Sequence, residues 1–372
     1  MPIQRPPLSM LIEHHLRPEV RAMHPYAVQD ASGLLKMDAM ENPYRLPEAL
    51  QAELGQRLGA LALNRYPGNR IDDLRRTLAT HAGVPEGCGL MLGNGSDELI
   101  SLLAMACDVA GACVLAPEPG FVMYGLSARL QGLRFVGVPL TPDFELDQSA
   151  MLAAIAAHQP ALVYLPYPNN PTANLWDEDS MEKIIAAAPG FVVIDEAYQP
   201  FAGKSFLPRI AQYDKLLLMR TMSKFGLAGV RIGYLVGPRA VIAEIDKVRP
   251  PYNISILNAE CALFALEHAG VFAAQARDIV VQRGRLLDAL GVIPGVRPFR
   301  SDANMILVRL APGGDGVAGV GRARTVFERM KVRGVLVKDV SATHPLLAGC
   351  LRLTVGTAPE NQAMISALKE SL

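Results

Sequence analysis

Thr221-Met-Ser-Lys-Phe-Gly-Leu-Ala-Gly-Val-Arg-Ile-Gly-Tyr234 is the segment around which the rest of the chain can be interpreted. An apolar run at residues 216–219 comes before it and predicts a buried strand. Lys224 supplies a single amine just beyond this strand, between the hydroxyl groups of Thr221 and Ser223 and the glycines that follow. The segment therefore predicts a lysine presented at the end of a strand.

The residues after the lysine favour a ligand that carries a phosphate. Gly226 and Gly229 would let the backbone approach another group closely, and Arg231 follows Lys224 by seven positions. This combination suits a phosphorylated carbonyl cofactor, whose aldehyde would form a Schiff base with the amine while the other groups hold the phosphate. The segment alone is equally compatible with a surface lysine in a glycine-containing loop.

Composition limits the partners of the protein. The chain has 372 residues, with 36 basic and 36 acidic side chains, so its formal net charge is zero. Neither nucleic acid nor an anionic membrane is therefore predicted as a partner. Half of the residues are apolar and 19% are charged, which is typical of a globular protein with much buried surface, and of oligomers.

Cysteines and apolar runs indicate the compartment. The five cysteines are scattered and form no C-x-x-C pair, so the sequence predicts free thiols and neither a disulfide framework nor a metal site. The first residues do not resemble a signal peptide. No apolar stretch approaches the roughly 18 residues of a membrane span. These features predict a cytoplasmic protein.

Alternating strand and helix patterns indicate an α/β fold with a mostly parallel sheet between helices. Residues 1–40 are interpreted as an arm, residues 41–270 as a large cofactor-binding domain and residues 271–372 as a smaller C-terminal domain. The predicted strands are at residues 112–115, 133–140, 161–165, 191–195, 216–219 and 232–236. The predicted helices include residues 97–108, 149–157 and 177–188, with further helical sequence at 256–290.

A glycine-containing segment, Gly93-Asn-Gly-Ser-Asp-Glu98, comes directly before a predicted helix. Free backbone N–H groups and the dipole at a helix start attract anions, and Ser96 could act as the N-cap. The segment does not match the dinucleotide pattern G-x-G-x-x-G, because Glu98 is at the sixth position and no strand of the required kind is expected before it. Ordinary helix capping is the alternative interpretation.

Two further motifs follow predicted strands, where α/β sheets bind their ligands. Pro168-Asn-Asn-Pro-Thr172 predicts a rigid turn that could present an asparagine to a ligand, although asparagine-rich turns are common. Asp195-Glu-Ala-Tyr198 places an acid at the buried end of a strand, where a pyridinium N–H could pair with it. Tyr198 could donate to a ring oxygen. Capping of the next helix is the alternative for Asp195.

Near the C-terminus, Arg352 is a single charge within the alternating segment Cys350-Leu-Arg-Leu-Thr-Val-Gly-Thr357. It points either to solvent, the usual position of a lone arginine, or into a cleft. In a cleft, its guanidinium could bind a carboxylate or phosphate through two hydrogen bonds.

Together these motifs resemble the fold-type-I pyridoxal-phosphate-dependent aminotransferases. Asn170-Pro-Thr, Asp195-x-x-Tyr198, Ser223-Lys224 and Arg231 occur in the order of that family, with 25 residues from Asn170 to Asp195 and 29 from Asp195 to Lys224. Within the superfamily the chain is most similar to the histidinol-phosphate aminotransferases. The segments that carry this similarity are Met23-His-Pro-Tyr26, Glu41-Asn-Pro, Asn64-Arg-Tyr-Pro67, Gly95-Ser-Asp-Glu98 and Leu351-Arg-Leu-Thr-Val-Gly-Thr357.

The resemblance implies a fold, an assembly and a reaction. The fold would be a seven-stranded, mostly parallel sheet sandwiched by helices, with a smaller α+β C-terminal domain. The assembly would be a homodimer with active sites at the subunit interface, and the arm would join the small domain and that interface. The reaction would interconvert L-histidinol phosphate and 2-oxoglutarate with imidazole-acetol phosphate and L-glutamate, using pyridoxal 5'-phosphate.

The resemblance also implies roles for individual residues. Lys224 would be the Schiff-base lysine and proton carrier, Asp195 would pair with the pyridine nitrogen, and Tyr198 and Asn170 would hold the ring oxygen. Phe121 would stack on the ring. The other cofactor-binding residues would be Ser96, Asp97, Thr221, Ser223 and Arg231, with Tyr66 contributed across the dimer. The implied substrate-binding residues are Tyr26, Asn42, Lys338 and Arg352.

Three positions depart from the family pattern. The loop between Lys224 and Arg231 is one residue shorter than in many relatives, Ala173 stands where glycine is usual, and Lys338 stands where arginine is frequent. An aromatic or other amino-acid aminotransferase and a phosphothreonine-type decarboxylase would share every cofactor residue, so both remain alternatives. A non-catalytic ligand-binding protein of the same fold is a third, disfavoured by the intact lysine, aspartate and tyrosine.

Overall fold

The central element is a seven-stranded sheet. The computed structural model describes residues 7–24, 29–313 and 316–372. The strand order is β2-β8-β7-β6-β5-β3-β4, and β8 runs antiparallel to both of its neighbours while the other pairs are parallel. The strands are β2 (Cys88–Gly93), β3 (Cys113–Glu118), β4 (Arg134–Pro139), β5 (Leu162–Pro166), β6 (Phe191–Asp195), β7 (Leu216–Thr221) and β8 (Gly233–Pro238).

Helices cover both faces of this sheet. Alternation along the strands directs Val192 and Ile194 into one apolar core and Val193 into the other, and Leu217 and Leu218 divide in the same way. Burial on both faces explains why the strands are continuous apolar runs. The helices are α3 (Glu48–Gly59), α4 (Arg70–Ala82), α5 (Ser96–Ala106), α6 (Met123–Gln131), α7 (Gln148–His158), α8 (Glu178–Ala187), α9 (Gln199–Ala202), α10 (Arg239–Ile245) and α11 (Ile256–Glu267).

A second sheet and a third apolar core lie in the C-terminal part of the chain. The antiparallel order is β12-β13-β10-β9, and a separate parallel pair joins the N-terminal β1 to β11. The strands are β1 (Leu35–Lys36), β9 (Val296–Pro298), β10 (Met305–Leu310), β11 (Val335–Leu336), β12 (Lys338–Asp339) and β13 (Cys350–Thr354). The remaining helices are α1 (Leu8–His15), α2 (Pro18–Arg21), α12 (Ala269–Gly291), α13 (Gly319–Val332) and α14 (Ala358–Ser371).

The sheet topology brings the candidate residues to one edge. Asp195 ends β6, and Thr221 ends the neighbouring parallel strand β7. Because β8 runs in the opposite direction, its beginning at Gly233, with Arg231 just before it, lies at this same edge. The segment after β2 also starts here, since Gly93 pairs with Gly233. Together with the segment of Asn170, which follows β5, five segments of the chain therefore converge at this edge.

The predicted α/β fold with a mostly parallel seven-stranded sheet is confirmed, and two local expectations are wrong or incomplete. A strand, β2, does precede the glycine-containing segment, and it lies within the central sheet. The helical sequence at 256–290 is two helices with a 76° bend at their junction. The end of the predicted arm contacts the C-terminal part of the chain, because β1 pairs with β11.

Across the described ranges, no single helix has the length and apolar character needed to cross a membrane, while the bent pair α11–α12 meets those two criteria only when taken together.

Candidate active site

A cavity of about 350 Å³ opens at the edge where the five segments converge. Its lining includes almost all of the residues that the sequence predicts for cofactor binding. They are Ser96, Asp97, Phe121, Asn170, Asp195, Tyr198, Thr221, Ser223, Lys224 and Arg231.

Lys224 is carried by a wide, π-helical turn, Ser223–Leu227. Gly226 within this turn has φ +140°, and a Cβ there would lie 2.7 Å from the Phe272 ring, so glycine is required. The Lys224 Nζ donates a hydrogen bond of 2.8 Å to the Ala39 carbonyl. Burial, with a further contribution from the charge of Arg352, lowers the pKa of this amine to about 8. Lys224 can therefore lose and regain a proton near neutral pH.

Asp195 is a buried carboxylate held by two neutral donors. Its Oδ2 accepts a 2.7 Å hydrogen bond from the Tyr124 hydroxyl, and its Oδ1 accepts one of 3.1 Å from the Ala197 amide. Burial raises the pKa of Asp195 to about 6, although both hydrogen bonds oppose this shift. An ionised acid in such surroundings is stabilised by a positively charged donor, and a pyridinium N–H is a group of that kind.

The N-terminus of α5 and Arg231 form a site suited to an anion. Gly95, and not Ser96 as predicted, is the N-cap, and its φ is +80°. A side chain at this position would collide with the Arg231 guanidinium. Arg231 lies 3.2 Å from the Asp97 carboxylate and 3.5 Å from the Ser223 hydroxyl. These groups, with the free N–H groups and dipole of an 11-residue helix, can bind a phosphate.

Of the two glycines expected to permit a close approach, Gly226 does so, whereas Gly229 lines the cavity with open space where its Cβ would be. The loop between Lys224 and Arg231 contains the π-helical turn at Gly226. At the position where the family usually has glycine, Ala173 adopts φ +68° and is fully buried. This left-handed conformation is uncommon for a residue with a Cβ.

Arg352 reaches the site from the second sheet and does not point to solvent. One guanidinium nitrogen donates a 2.7 Å hydrogen bond to the Asn170 Oδ1, and another donates one of 2.7 Å to the Asp38 carbonyl. With Oδ1 engaged, the amide nitrogen is the group that Asn170 can present to a ligand. Lys338 faces Arg352 as its register partner between β12 and β13. Their side chains therefore leave the second sheet on the same face.

Neither Lys338 nor Arg352 is part of the cavity lining, and two other predicted residues, Tyr66 and Asn42, lie outside it as well. Tyr66 is 73% exposed, and its ring stacks on Tyr252 with 4.1 Å between the centroids. The Asn42 amide group donates to Gln275 at 2.9 Å, away from the cavity lining, although its neighbour Glu41 does line the cavity. Tyr26 lies outside the described residues.

Tyr124 is the main site residue that the sequence interpretation missed. It lines the cavity and contacts Asp195 directly. A signal was present, because Tyr124 follows Phe121, the residue predicted to stack on the ring, by only three positions. An aromatic residue with this spacing is ordinarily interpreted as part of the core, which also describes Tyr124 correctly.

Comparison with known proteins agrees with the interpretation of this site. The family described as aminotransferase class I and II matches residues 32–368, which is most of the chain. The chain belongs to this family. The prediction of a pyridoxal-phosphate-dependent aminotransferase is thereby confirmed.

Curated relatives of this aminotransferase are similar over nearly their full length. It is 65% identical over 367 residues to the histidinol-phosphate aminotransferase of Methylibium petroleiphilum, covering 98% of this chain and 96% of the relative. It is 64% identical to the histidinol-phosphate aminotransferase of Polaromonas naphthalenivorans, covering 96% of each. The predicted similarity to the histidinol-phosphate aminotransferases is confirmed.

A solved structure shows the same fold. The histidinol-phosphate aminotransferase of Sinorhizobium meliloti in complex with pyridoxal-5'-phosphate superimposes with a TM-score of 0.82 at 24% identity, covering 96% of this chain and 97% of that one. The residues of this aminotransferase fit the same cofactor. A buried acid with neutral donors, a lysine of lowered pKa and an anion site at a helix start line one cavity.

Proposed function

We propose that this aminotransferase transfers the amino group of L-histidinol phosphate to 2-oxoglutarate, giving imidazole-acetol phosphate and L-glutamate, a step of histidine biosynthesis. The names of the relatives that are 65% and 64% identical support this substrate. The structural observation that carries the proposal is that Lys224 and Asp195 line one cavity, with the inward-pointing Arg352 hydrogen-bonded to Asn170 at its margin.

When bound, pyridoxal phosphate would supply an aldehyde that reacts with amines and a ring that accepts electron density. Lys224, with a pKa near 8, would take the proton from the amine-bearing carbon and deliver it to the cofactor carbon. Asp195 would keep a proton on the ring nitrogen. Tyr198 and the Asn170 amide nitrogen would donate to the ring oxygen, and Phe121 would cover one ring face.

The cofactor phosphate would be held by a set of groups at the start of α5 and around Arg231. This set comprises Ser96, Asp97, Thr221, Ser223 and Arg231, all of which line the cavity. Asp97 would act through its backbone N–H, while its carboxylate orients the Arg231 guanidinium at 3.2 Å. The hydroxyls of Thr221 and Ser223, 3.0 Å apart, would be fixed by their mutual hydrogen bond.

The phosphate of the substrate would be recognised by Arg352 and Lys338. Their pairing in register between β12 and β13 supports this assignment, because two neighbouring cations suit a dianionic group. Tyr26 and Asn42 are assigned to the same pocket by resemblance to the family. The division into an arm (1–40), a large domain (41–270) and a small domain (271–372) remains part of the proposal, and it is supported by one apolar core that lies mostly in the C-terminal part of the chain.

The assembly is proposed to be a homodimer with Tyr66 completing the partner's cofactor site. The high exposure of the Tyr66–Tyr252 stack supports this proposal. Mixing Lys224→Ala and Tyr66→Ala chains tests it, since a hybrid dimer would regain one intact site. Activity that does not rise on mixing would contradict it. We further propose a cytoplasmic location without membrane or nucleic-acid partners, which the free cysteines and zero net charge support.

A half-reaction tests the substrate assignment. The cofactor-loaded protein is mixed with L-histidinol phosphate or, as a matched control, with L-histidinol, which lacks only the phosphate, and the cofactor absorbance is followed. We expect fast conversion to the pyridoxamine form with the phosphorylated compound and slow conversion with the control. Equal rates would contradict a phosphate-reading pocket. Faster conversion with phenylalanine would favour an aromatic aminotransferase, and release of carbon dioxide from O-phosphothreonine would favour a decarboxylase.

A further inference from the structure

An aromatic stack that includes Tyr124 contacts Asp195. The Tyr124 ring on α6 packs on the Tyr164 ring of β5 at 4.3 Å with an interplanar angle of 9°, and the Phe121 ring meets it edge-on at 5.7 Å. Both tyrosines are almost completely buried. The stack holds the Tyr124 hydroxyl in place at 2.7 Å from the Asp195 Oδ2.

The charged and titratable groups around Asp195 act in different directions. Asp97 on α5 and the adjacent Glu196 disfavour its ionised form, as does burial, while the Tyr124 hydroxyl and the Ala197 amide favour it. The phenols of Tyr164 and Tyr198 are also close, and Lys224 lines the same cavity. Burial and the Asp195 charge raise the pKa of Tyr124 far above its usual value, so this phenol remains a proton donor.

We propose that Tyr124 is a positioning residue, whose hydroxyl keeps the Asp195 carboxylate ionised and fixed in one orientation. The part of this proposal that concerns the cofactor rests on the proposed function, because there Asp195 acts on the ring nitrogen. The part that concerns the carboxylate itself holds for the cofactor-free protein. A hydrogen bond to a charged group contributes about 1.5–3 kcal/mol, enough to shift a carboxyl pKa by about one to two units.

Tyr164 provides a matched control. It is as buried as Tyr124, its ring is the other half of the same stack, and among the described residues its hydroxyl has no hydrogen-bond partner. Tyr124→Phe and Tyr164→Phe therefore remove the same atom from neighbouring rings, but the first change alone takes a donor from Asp195. A packing role would affect both variants alike.

The first measurement is the pH dependence of unfolding in the cofactor-free, full-length variants. The pKa of Asp195 is about 6 in the folded protein and 3.8 as an unperturbed group, so the unfolded chain releases this proton first and stability falls as pH rises from about 4 to 6. In Tyr124→Phe we expect this fall to extend about one to two pH units higher than in Tyr164→Phe. Superimposable profiles of the two variants would overturn the proposal.

The second measurement is the half-reaction with the cofactor bound. We expect Tyr124→Phe to react about two- to tenfold more slowly than Tyr164→Phe at pH 7, because a shift of one to two units lowers the ionised fraction of Asp195 by that factor. The apparent Kd for the substrate should be unchanged, and the rate should recover at higher pH, where Asp195 ionises. A shifted stability profile with a normal half-reaction would overturn the link to the cofactor. If the wild-type protein also fails to react with L-histidinol phosphate, the substrate assignment fails, while the stability profiles still decide the role of Tyr124.

Discussion

Asp195 and Glu196 are adjacent buried carboxylates with opposite surroundings. Asp195 faces the 350 Å³ cavity and has neutral donors, whereas Glu196 faces a second cavity of about 1090 Å³ and forms an ion pair with Arg220 at 2.8 Å. Glu196 also accepts hydrogen bonds from Ser205 and the Phe206 amide. The larger cavity thus contains an acid whose charge is already compensated, so cavity volume alone does not identify the active site.

The difference separates a structural acid from a functional one. Burial raises the pKa of both carboxyls, and for Glu196 the Arg220 charge opposes that rise. A buried pair with complete hydrogen bonding joins the ends of β6 and β7 firmly, but it has little capacity left for a ligand. Asp195 retains the capacity to bind a cationic donor. Alternation at the strand end assigns the two neighbours to opposite sides.

The distinction between Asp195 and Glu196 is tested most sharply by removing the charge of each carboxylate separately. In Asp195→Asn we expect kcat to fall about 10³-fold, because the ring nitrogen loses its anionic partner. The free energy of unfolding at pH 8 should be unchanged or higher by up to about 2 kcal/mol, since the folded pKa near 6 makes the ionised form costly there. Steady-state kinetics and denaturant unfolding measure the two quantities.

Glu196→Gln is the matched control, and it should show the reverse pattern. Its activity per folded molecule should fall far less than that of Asp195→Asn, while its stability should fall because Arg220 remains buried without its counter-charge. A near-normal kcat in Asp195→Asn, or equal kinetic losses in both variants, would refute the distinction between the two acids.

Removing the cation of the structural pair should cost stability more than activity. Arg220→Met leaves Glu196 ionised and uncompensated, so we expect a loss of about 3–5 kcal/mol in the free energy of unfolding near neutral pH. The loss should shrink as pH falls and the carboxyl, whose pKa is already raised by burial, takes up a proton. Urea unfolding at pH 5 and pH 8 measures this, and a loss independent of pH would contradict the ion-pair explanation.

A smaller effect is expected where Arg352 joins the second sheet to the cavity. Arg352→Lys keeps the charge but removes the two-pronged geometry that contacts Asn170 and Asp38, so KM for L-histidinol phosphate should rise about tenfold. The KM of the same variant for 2-oxoglutarate is measured for comparison with its KM for L-histidinol phosphate. Arg309→Lys, also on the second sheet but bonded to the Leu346 carbonyl, is the control and should leave both constants unchanged. A normal KM in Arg352→Lys would remove this residue from the substrate site.

Sequence reasoning was most successful where burial and chemistry coincide. The apolar runs predicted the central strands, and β6 was placed at residues 191–195 as observed, because strands buried on both faces need no polar position. Lys224, Asp195 and Arg231 were predicted to share one site because few residue types perform their chemistry, and all three line the cavity. The direction of Arg352 could not be decided from alternation, since both faces of β13 were possible.

The remaining errors arise from local geometry. A run that contains two glycines among its six residues, Cys88–Gly93, gives a weak strand signal, and pairing with β8 decides its structure. Gly95, and not Ser96, is the N-cap of α5, and the close approach of Arg231 requires a residue without a side chain there. The assignments of Tyr66 and Asn42 to cofactor and substrate stay predictions, because both lie outside the cavity lining of the single chain.

The central claim is that Lys224 is the amine that holds the cofactor opposite Asp195. The most direct test is borohydride reduction of the cofactor-loaded protein, followed by peptide mass spectrometry. We predict that the reduced cofactor is attached to Lys224 and to no other lysine, and that Asp195→Asn retains this label while losing most of its turnover. Labelling of a different lysine, or no label despite bound cofactor, would contradict the account.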